Sequence, residues 1–151
     1  MKEERDSMDY RPYMRKAHYY ETDQMGIVHH SNYIRWLEEA RLDFMEQIGV
    51  DYVKLEEMGI LIPVLSVQCD YRLTTKYNET VMIVPKLEKV SAVKFKISYR
   101  IMAPRTKELH NTAQTEHCFL NREFKPVFLK KDYPELYSLF KRYEGFDLTD
   151  L

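Results

Sequence analysis

Residues 33–48 carry one long apolar stripe: Tyr33, Leu37, Ala40, Phe44 and Ile48 recur at steps of three and four. That recurrence is one face of an α-helix of about sixteen residues. Trp36, Ile34 and Met45 widen the face, so the spacing predicts a helix enclosed on more than one side. Ser31 and Asn32 stand before it as residue types that cap helix N-termini. Gly49 ends it at the position where a left-handed residue is favoured. A helix with so much apolar surface must bury it against another layer, and most of the remaining chain reads as strand.

After a short second helix over 51–58, closed by Gly59, the period changes from helical to alternating. Leu65, Val67, Cys69 and Tyr71 point one way, and Ser66, Gln68, Asp70 and Arg72 the other. Residues 79–90 read as a further strand. Val93, Phe95, Ile97, Tyr99 and Ile101 against Lys94, Lys96, Ser98 and Arg100 give the cleanest alternation, a sheet with one wet face. A weaker pattern returns over 109–121, and a short segment follows over 124–129. Upstream, the aromatic-rich stretch 13–20 reads as a first strand. Asp132 with Pro134 opens a final helix, about 132–144, bearing Leu136, Leu139, Phe140 and Tyr143 on one side. Residues 1–10 are charged and patternless and are expected to form a flexible N-terminus, which leaves 11–151 as one domain. The element order predicts an α+β fold in which an antiparallel sheet wraps one long central helix.

A chain of 151 residues can bury one sizeable core. Its net charge of −1, with both signs interspersed, gives no field for nucleic acid. The longest apolar stretch, 60–67, is interrupted by Pro63 and Ser66 and is too short to span a bilayer. The first residues lack the apolar core of a signal peptide, so a cytoplasmic location is expected. Cys69 and Cys118 form no metal-type pair and are expected to be reduced, buried and small. His18, His110 and His117 have no ligand spacing, and adjacent His29 and His30 cannot easily face one ion, so no metal is expected.

The chemistry concentrates in residues 19–33, Tyr-Tyr-Glu-Thr-Asp-Gln-Met-Gly-Ile-Val-His-His-Ser-Asn-Tyr. Asp23 sits in a Gly-containing loop directly ahead of a helix whose first-turn amides have no backbone partners. A carboxylate beside such free N–H groups can act as base or nucleophile while they stabilise an anionic transition state. That is the minimum equipment for opening a thioester. The same residues also fit an Asp that only braces a turn, with His30 and Asn32 as ordinary helix-start residues. There is no Gly-x-Ser-x-Gly elbow and no phosphate-cradling Gly loop; Ser31 and Ser66 read as a cap and a strand residue.

Thr22-Asp23, Gly26-Ile27-Val28, His30, Asn32 and Tyr33 stand in the order and spacing of an active-site signature. They resemble that of the 4-hydroxybenzoyl-CoA thioesterases and related bacterial acyl-CoA thioesterases. The helix 34–41 and the strand 63–71 are similar to the same family, and the resemblance runs from about Tyr13 to Phe128. It implies the hotdog fold and hydrolysis of acyl-CoA to free acid and coenzyme A, with no cofactor besides the coenzyme A of the substrate. By the resemblance Asp23 is the catalytic carboxylate, and His30 is the catalytic partner whose backbone N–H faces the oxyanion. Tyr19, Gly26, Tyr33 and Ser66 are its substrate-binding candidates; Tyr19 and Tyr33 also read as core aromatics. Some hotdog thioesterases use a helix Glu instead, but here Glu39 with Arg41 and Asp43 reads as a solvated helix face. Lys125, Lys130 and Lys131 are candidates for the coenzyme A phosphates. The resemblance also implies a homodimer or homotetramer, with strand residues near Ser66 or Gln68 reaching the partner's site. Met25 stands where many members have a small residue and His29 where an aromatic is frequent, which leaves the acyl group open. A hotdog hydratase or dehydratase and a non-catalytic acyl-CoA-binding protein are the alternatives.

Overall fold

The computed structural model describes residues 10–147. Strand β1 spans Tyr13–Lys16 and a single 3-10 turn spans Tyr19–Glu21. Helix α1 (His30–Gln47) and helix α2 (Tyr52–Glu57) follow. Four long strands come next: β2 (Val64–Tyr71), β3 (Thr80–Val90), β4 (Lys94–Met102) and β5 (Leu109–Cys118). The short α3 (Leu129–Asp132) and then α4 (Pro134–Arg142) close the described chain. All strands pair antiparallel in the order β1-β3-β4-β5-β2. Helix α1 touches β3 and also both edge strands, β1 and β2, so the sheet bends around it.

The stripe read from the sequence is the face that packs. Tyr33, Leu37, Ala40, Phe44 and Ile48 are buried, as are Trp36 and Met45 on its flanks. Ile34, expected to widen that face, is exposed instead. The opposing layer is the inner face of β4, where Phe95, Ile97, Tyr99 and Ile101 are all buried. Helix α4 adds Phe140 and Tyr143, and Phe140 packs on Phe95 and Phe119. Burying two or three large aromatics at one junction of helix and sheet contributes several kcal/mol, at about 25 cal/mol per Å2 of apolar surface.

Several boundaries differ from the sequence reading. The first strand stops at Lys16, because the 3-10 turn reverses the chain at Tyr19–Glu21. Segment 124–129 forms no named strand: Pro126 bridges Leu120, the Val127 N–H donates to the Phe119 carbonyl, and Leu129 already opens α3. Leu65 lies at a bulge in β2, so Val64, not Leu65, shares the inner face with Val67, Cys69 and Tyr71. The expected flexible segment 1–10 falls largely outside the described residues. Its last member, Tyr10, is buried, with its hydroxyl 2.7 Å from that of Tyr143.

Candidate active site

The segment between the 3-10 turn and α1 closes on itself. Thr22 and Val28 bridge, the Asp23 N–H donates to the Ile27 carbonyl (2.9 Å), and the Gly26 N–H donates to the Asp23 carbonyl (3.0 Å). Gly26 has φ +78°, which an L side chain adopts only with strain, although a Cβ there would meet nothing within 4 Å. The glycine is therefore required by backbone conformation rather than by space. Asp23 Oδ1 accepts from the Met25 N–H at 2.8 Å, which leaves Oδ2 uncommitted among the described residues.

Helix α1 begins two or three residues earlier than a cap at Ser31 or Asn32 would place it, because His29 is the cap. Its Nδ1 accepts from the Ser31 N–H at 3.2 Å, so the proton shared with Ser31 Oγ at 2.8 Å comes from the hydroxyl. The Asn32 N–H donates to the His29 carbonyl and the His29 N–H to the Glu21 carbonyl. Between them, the N–H of His30 has no backbone acceptor among the described residues. It projects from the positive end of an 18-residue helix.

A cavity of about 270 Å3 lies against this loop. Asp23, Met25, Ile27, Val28, His30 and Tyr33 line one side of it, and Tyr71, Arg72, Leu73 and Thr74 the other. The Tyr33 and Tyr71 rings stand 5.5 Å apart, and the Tyr71 hydroxyl donates to the His30 carbonyl over a long 3.4 Å. Asp23, His30 and Tyr33 are thus brought together. Tyr19, Gly26 and Ser66 do not line this cavity. Tyr19 is 76% exposed and meets Tyr77 edge-on, while Ser66 stands exposed on β2 with its hydroxyl 3.5 Å from Glu116. Burial pushes the Tyr33 hydroxyl and the Cys69 thiol up, so neither is a ready nucleophile at neutral pH. Cys69 and Cys118 are free thiols and only half-buried. On β5, the side-chain amide of fully buried Asn111 meets no nitrogen or oxygen partner among the described residues, and its neighbour is the Cys69 thiol of β2.

Three features escaped the sequence reading. Arg72, read as an outward strand residue, is the cation of this cavity; Lys130 and Lys131 line a separate hollow with Ala92 and Phe128. Glu39 is not a solvated carboxylate: it accepts from the Tyr13 hydroxyl (2.9 Å) and from Arg15 Nε (3.0 Å). Burial and then this carboxylate push the Tyr13 hydroxyl up to about 12. Glu21, two residues before Asp23, is buried and receives both guanidinium nitrogens of Arg15 at 2.9 Å each. Burial alone would raise its pKa; hydrogen bonds from the Trp36 indole and the His18 N–H, with the Arg15 charge, outweigh that and hold it below the usual carboxylate range. A Glu two residues before a loop Asp was the only signal available for it. The three separated histidines stay apart: His18 stacks on Tyr20, His110 meets Thr75, and His117 meets Arg41.

Known proteins share this chain over nearly its whole length. The profile of the thioesterase-like superfamily matches residues 17–132. YneP of Bacillus subtilis, whose name marks it as a candidate acyl-CoA thioesterase, is 32% identical over 128 residues, 84% of this chain and 92% of its own. The solved structure of a DHNA-CoA thioesterase from Staphylococcus aureus is 32% identical, covers 89% of this chain and 91% of its own, and superposes with a TM-score of 0.82. A protein of Aquifex aeolicus, 33% identical, covers 85% of this chain and 97% of its own at a TM-score of 0.77. These likenesses agree with the sheet-wrapped helix and with the hotdog resemblance carried by residues 22–33, and the chain belongs to the thioesterase-like superfamily.

Proposed function

We propose that the protein hydrolyses acyl-CoA thioesters to a free acid and coenzyme A, using Asp23 as general base or nucleophile and the His30 N–H as oxyanion donor. The observation that carries this reading is that Asp23 and His30 line one cavity, at the start of a helix whose His30 N–H lacks a backbone acceptor among the described residues. In the base route, Asp23 takes a proton from water as the water oxygen bonds to the thioester carbonyl carbon. The carbonyl oxygen becomes an oxyanion on the His30 N–H, the C–S bond then breaks, and the proton leaves with the coenzyme A thiol. In the nucleophile route, an Asp23 oxygen bonds to that carbon and expels the thiolate, and water then opens the resulting anhydride. A preorganised N–H at the oxyanion is worth about 3 kcal/mol in the barrier. Tyr33 and Tyr71 would flank the acyl group, and Arg72 would offer its charge to the coenzyme A phosphates.

The protomer also offers an edge for assembly. Strand β2 is an edge of the sheet, and Val64 (49%) and Val67 (37%) of its inner face are exposed. We infer a homodimer joined along β2, with Ser66 or Gln68 delivered toward the partner's cavity; a row of unpaired strand groups favours such pairing. The test of function is thiol release from a panel of acyl-CoAs by wild type and Asp23→Asn. Loss in the variant supports the reading, and full activity in the variant overturns Asp23. Wild-type binding of acyl-CoA without hydrolysis would make this a binding protein. A single turnover in 18O-water that leaves label in Asp23 identifies the nucleophile route with water attacking the aspartyl carbonyl of the anhydride, since the base route puts all the label in the product acid.

A further inference from the structure

We infer that Glu21 is a positioning residue for this reaction, one that fixes the Asp23 carboxylate relative to the His30 N–H; this rests on the reading of Asp23 and His30 given above. Glu21 binds both structures at once. Its side chain is anchored to the body of the protein: Oε1 accepts from Arg15 Nη1 and from the His18 N–H, each at 2.9 Å. Oε2 accepts from Arg15 Nη2 at 2.9 Å and from the Trp36 indole N–H at 2.8 Å. Its backbone carbonyl is anchored to the helix start, accepting from the His29 N–H and from Asn32 Nδ2, both at 2.8 Å. His29 and Asn32 flank His30, and Asp23 follows Glu21 by two residues. One buried residue therefore sets the origin of the loop and the origin of the helix.

The bidentate ion pair gives this anchor direction as well as strength. Arg15 offers a planar fork to both carboxylate oxygens, its third nitrogen is held by Glu39, and its guanidinium carbon lies 5.2 Å from the Trp36 ring centre. Trp36 belongs to the second turn of α1, so the Glu21–Trp36 bond ties the loop to the same helix that carries His30. A carboxylate does this because all four side-chain bonds come from donors. An amide in its place would turn an NH2 toward one of those donors and leave the half-buried Arg15 without its nearest counter-charge.

The test measures kcat, KM and melting temperature for Glu21→Gln, Trp36→Phe and Asp23→Asn with the best substrate of the acyl-CoA panel. Trp36→Phe removes one donor to Glu21 and keeps an aromatic in the core, so it decides the question if Glu21→Gln does not fold. The expected result is a fall in kcat of about 10–100-fold for folded Glu21→Gln, with KM within about three-fold, as for a misplaced catalytic group. Trp36→Phe should show a smaller fall in kcat of the same kind. The loss should persist at temperatures well below each variant's melting point, which a purely structural role would not produce. Folded variants with wild-type kcat beside an inactive Asp23→Asn would overturn the inference alone. A fully active Asp23→Asn would overturn the reading of Asp23 and the inference with it.

Discussion

Arg41 Nη1 lies 2.8 Å from Nδ1 of His117, and both side chains are buried between helix α1 and strand β5. An arginine can only donate, so Nδ1 must carry the lone pair and the imidazole must be neutral. Its proton then sits on Nε2 and is donated to Thr115 Oγ1 at 2.8 Å, which the Tyr99 hydroxyl also meets at 2.8 Å. The sequence placed Arg41 on a solvated face; its actual acceptor comes from a strand far along the chain. Burial, then the Arg41 charge, push the His117 pKa down to about 3 from an ordinary 6.5.

A pH dependence of stability follows, and its sign is fixed. The folded pKa is depressed, so the unfolded chain takes up the proton first as pH falls. His117 therefore contributes stability fully present above about pH 6.5 and lost progressively toward pH 3. Chemical denaturation between those limits should show the decline. His117→Gln, which can still accept from Arg41 but does not titrate, should flatten the dependence over the upper part of that window. An unchanged slope in the variant would assign the effect elsewhere.

Two carboxylates near α1 should respond differently to amide substitution. Asp23→Asn should lower kcat by about 10²–10⁴-fold, the usual weight of a group that transfers a proton in the transition state. Glu39→Gln should keep most activity, because an amide oxygen can still accept from Tyr13 and Arg15 and Glu39 does not line the cavity. Steady-state thiol release measures both. If Glu39→Gln is the dead variant, the catalytic carboxylate has been misassigned.

Trp36 and Phe44 are fully enclosed. Replacing either by Ala should destabilise the protein by about 3–5 kcal/mol through lost transfer energy and the cavity left behind. Trp36→Ala should be the worse of the two, because it also removes a donor to buried Glu21. Denaturant midpoints at constant m-value provide the measurement, and a near-zero effect at Phe44 would mean that α1 is not the core helix.

The parts of the fold that were legible are those set by period. Tyr33 to Ile48 and Phe95 to Ile101 repeat at the helix and strand spacings, and burial follows the repeat residue by residue. Asp23, His30 and Tyr33 were legible as neighbours around one cavity because loop and helix start are contiguous in sequence. Arg72 was not, since the end of a strand distant in sequence brings it to the cavity and an Arg after an alternating strand reads as its wet face. Glu21 and Arg41 were missed for a related reason. A charged residue is assigned to solvent by default, and only its three-dimensional partners reverse that assignment. The cap also misled: Ser31 and Asn32 are stronger capping types than His29, yet here they sit inside the first turn and Asn32 reaches back to Glu21.

The last prediction concerns the β2 edge. Its inner face continues that of β5, with Val67 opposite Thr115 and Cys69 opposite Ala113, yet in the protomer it extends past the cover of α1. Apolar side chains on an open edge favour pairing with a second copy, and a charge placed among them is the natural way to block it. Val67→Lys should therefore convert the proposed homodimer to a monomer in sedimentation or light scattering, with little change in the core. If each cavity draws Ser66 or Gln68 from the partner, the monomer should also lose kcat/KM by more than about 10-fold, as on losing a contact worth 1.4 kcal/mol or more. Raising the concentration of the variant should restore dimer and activity together. A wild-type protein that is monomeric and fully active at assay concentration would refute the shared site.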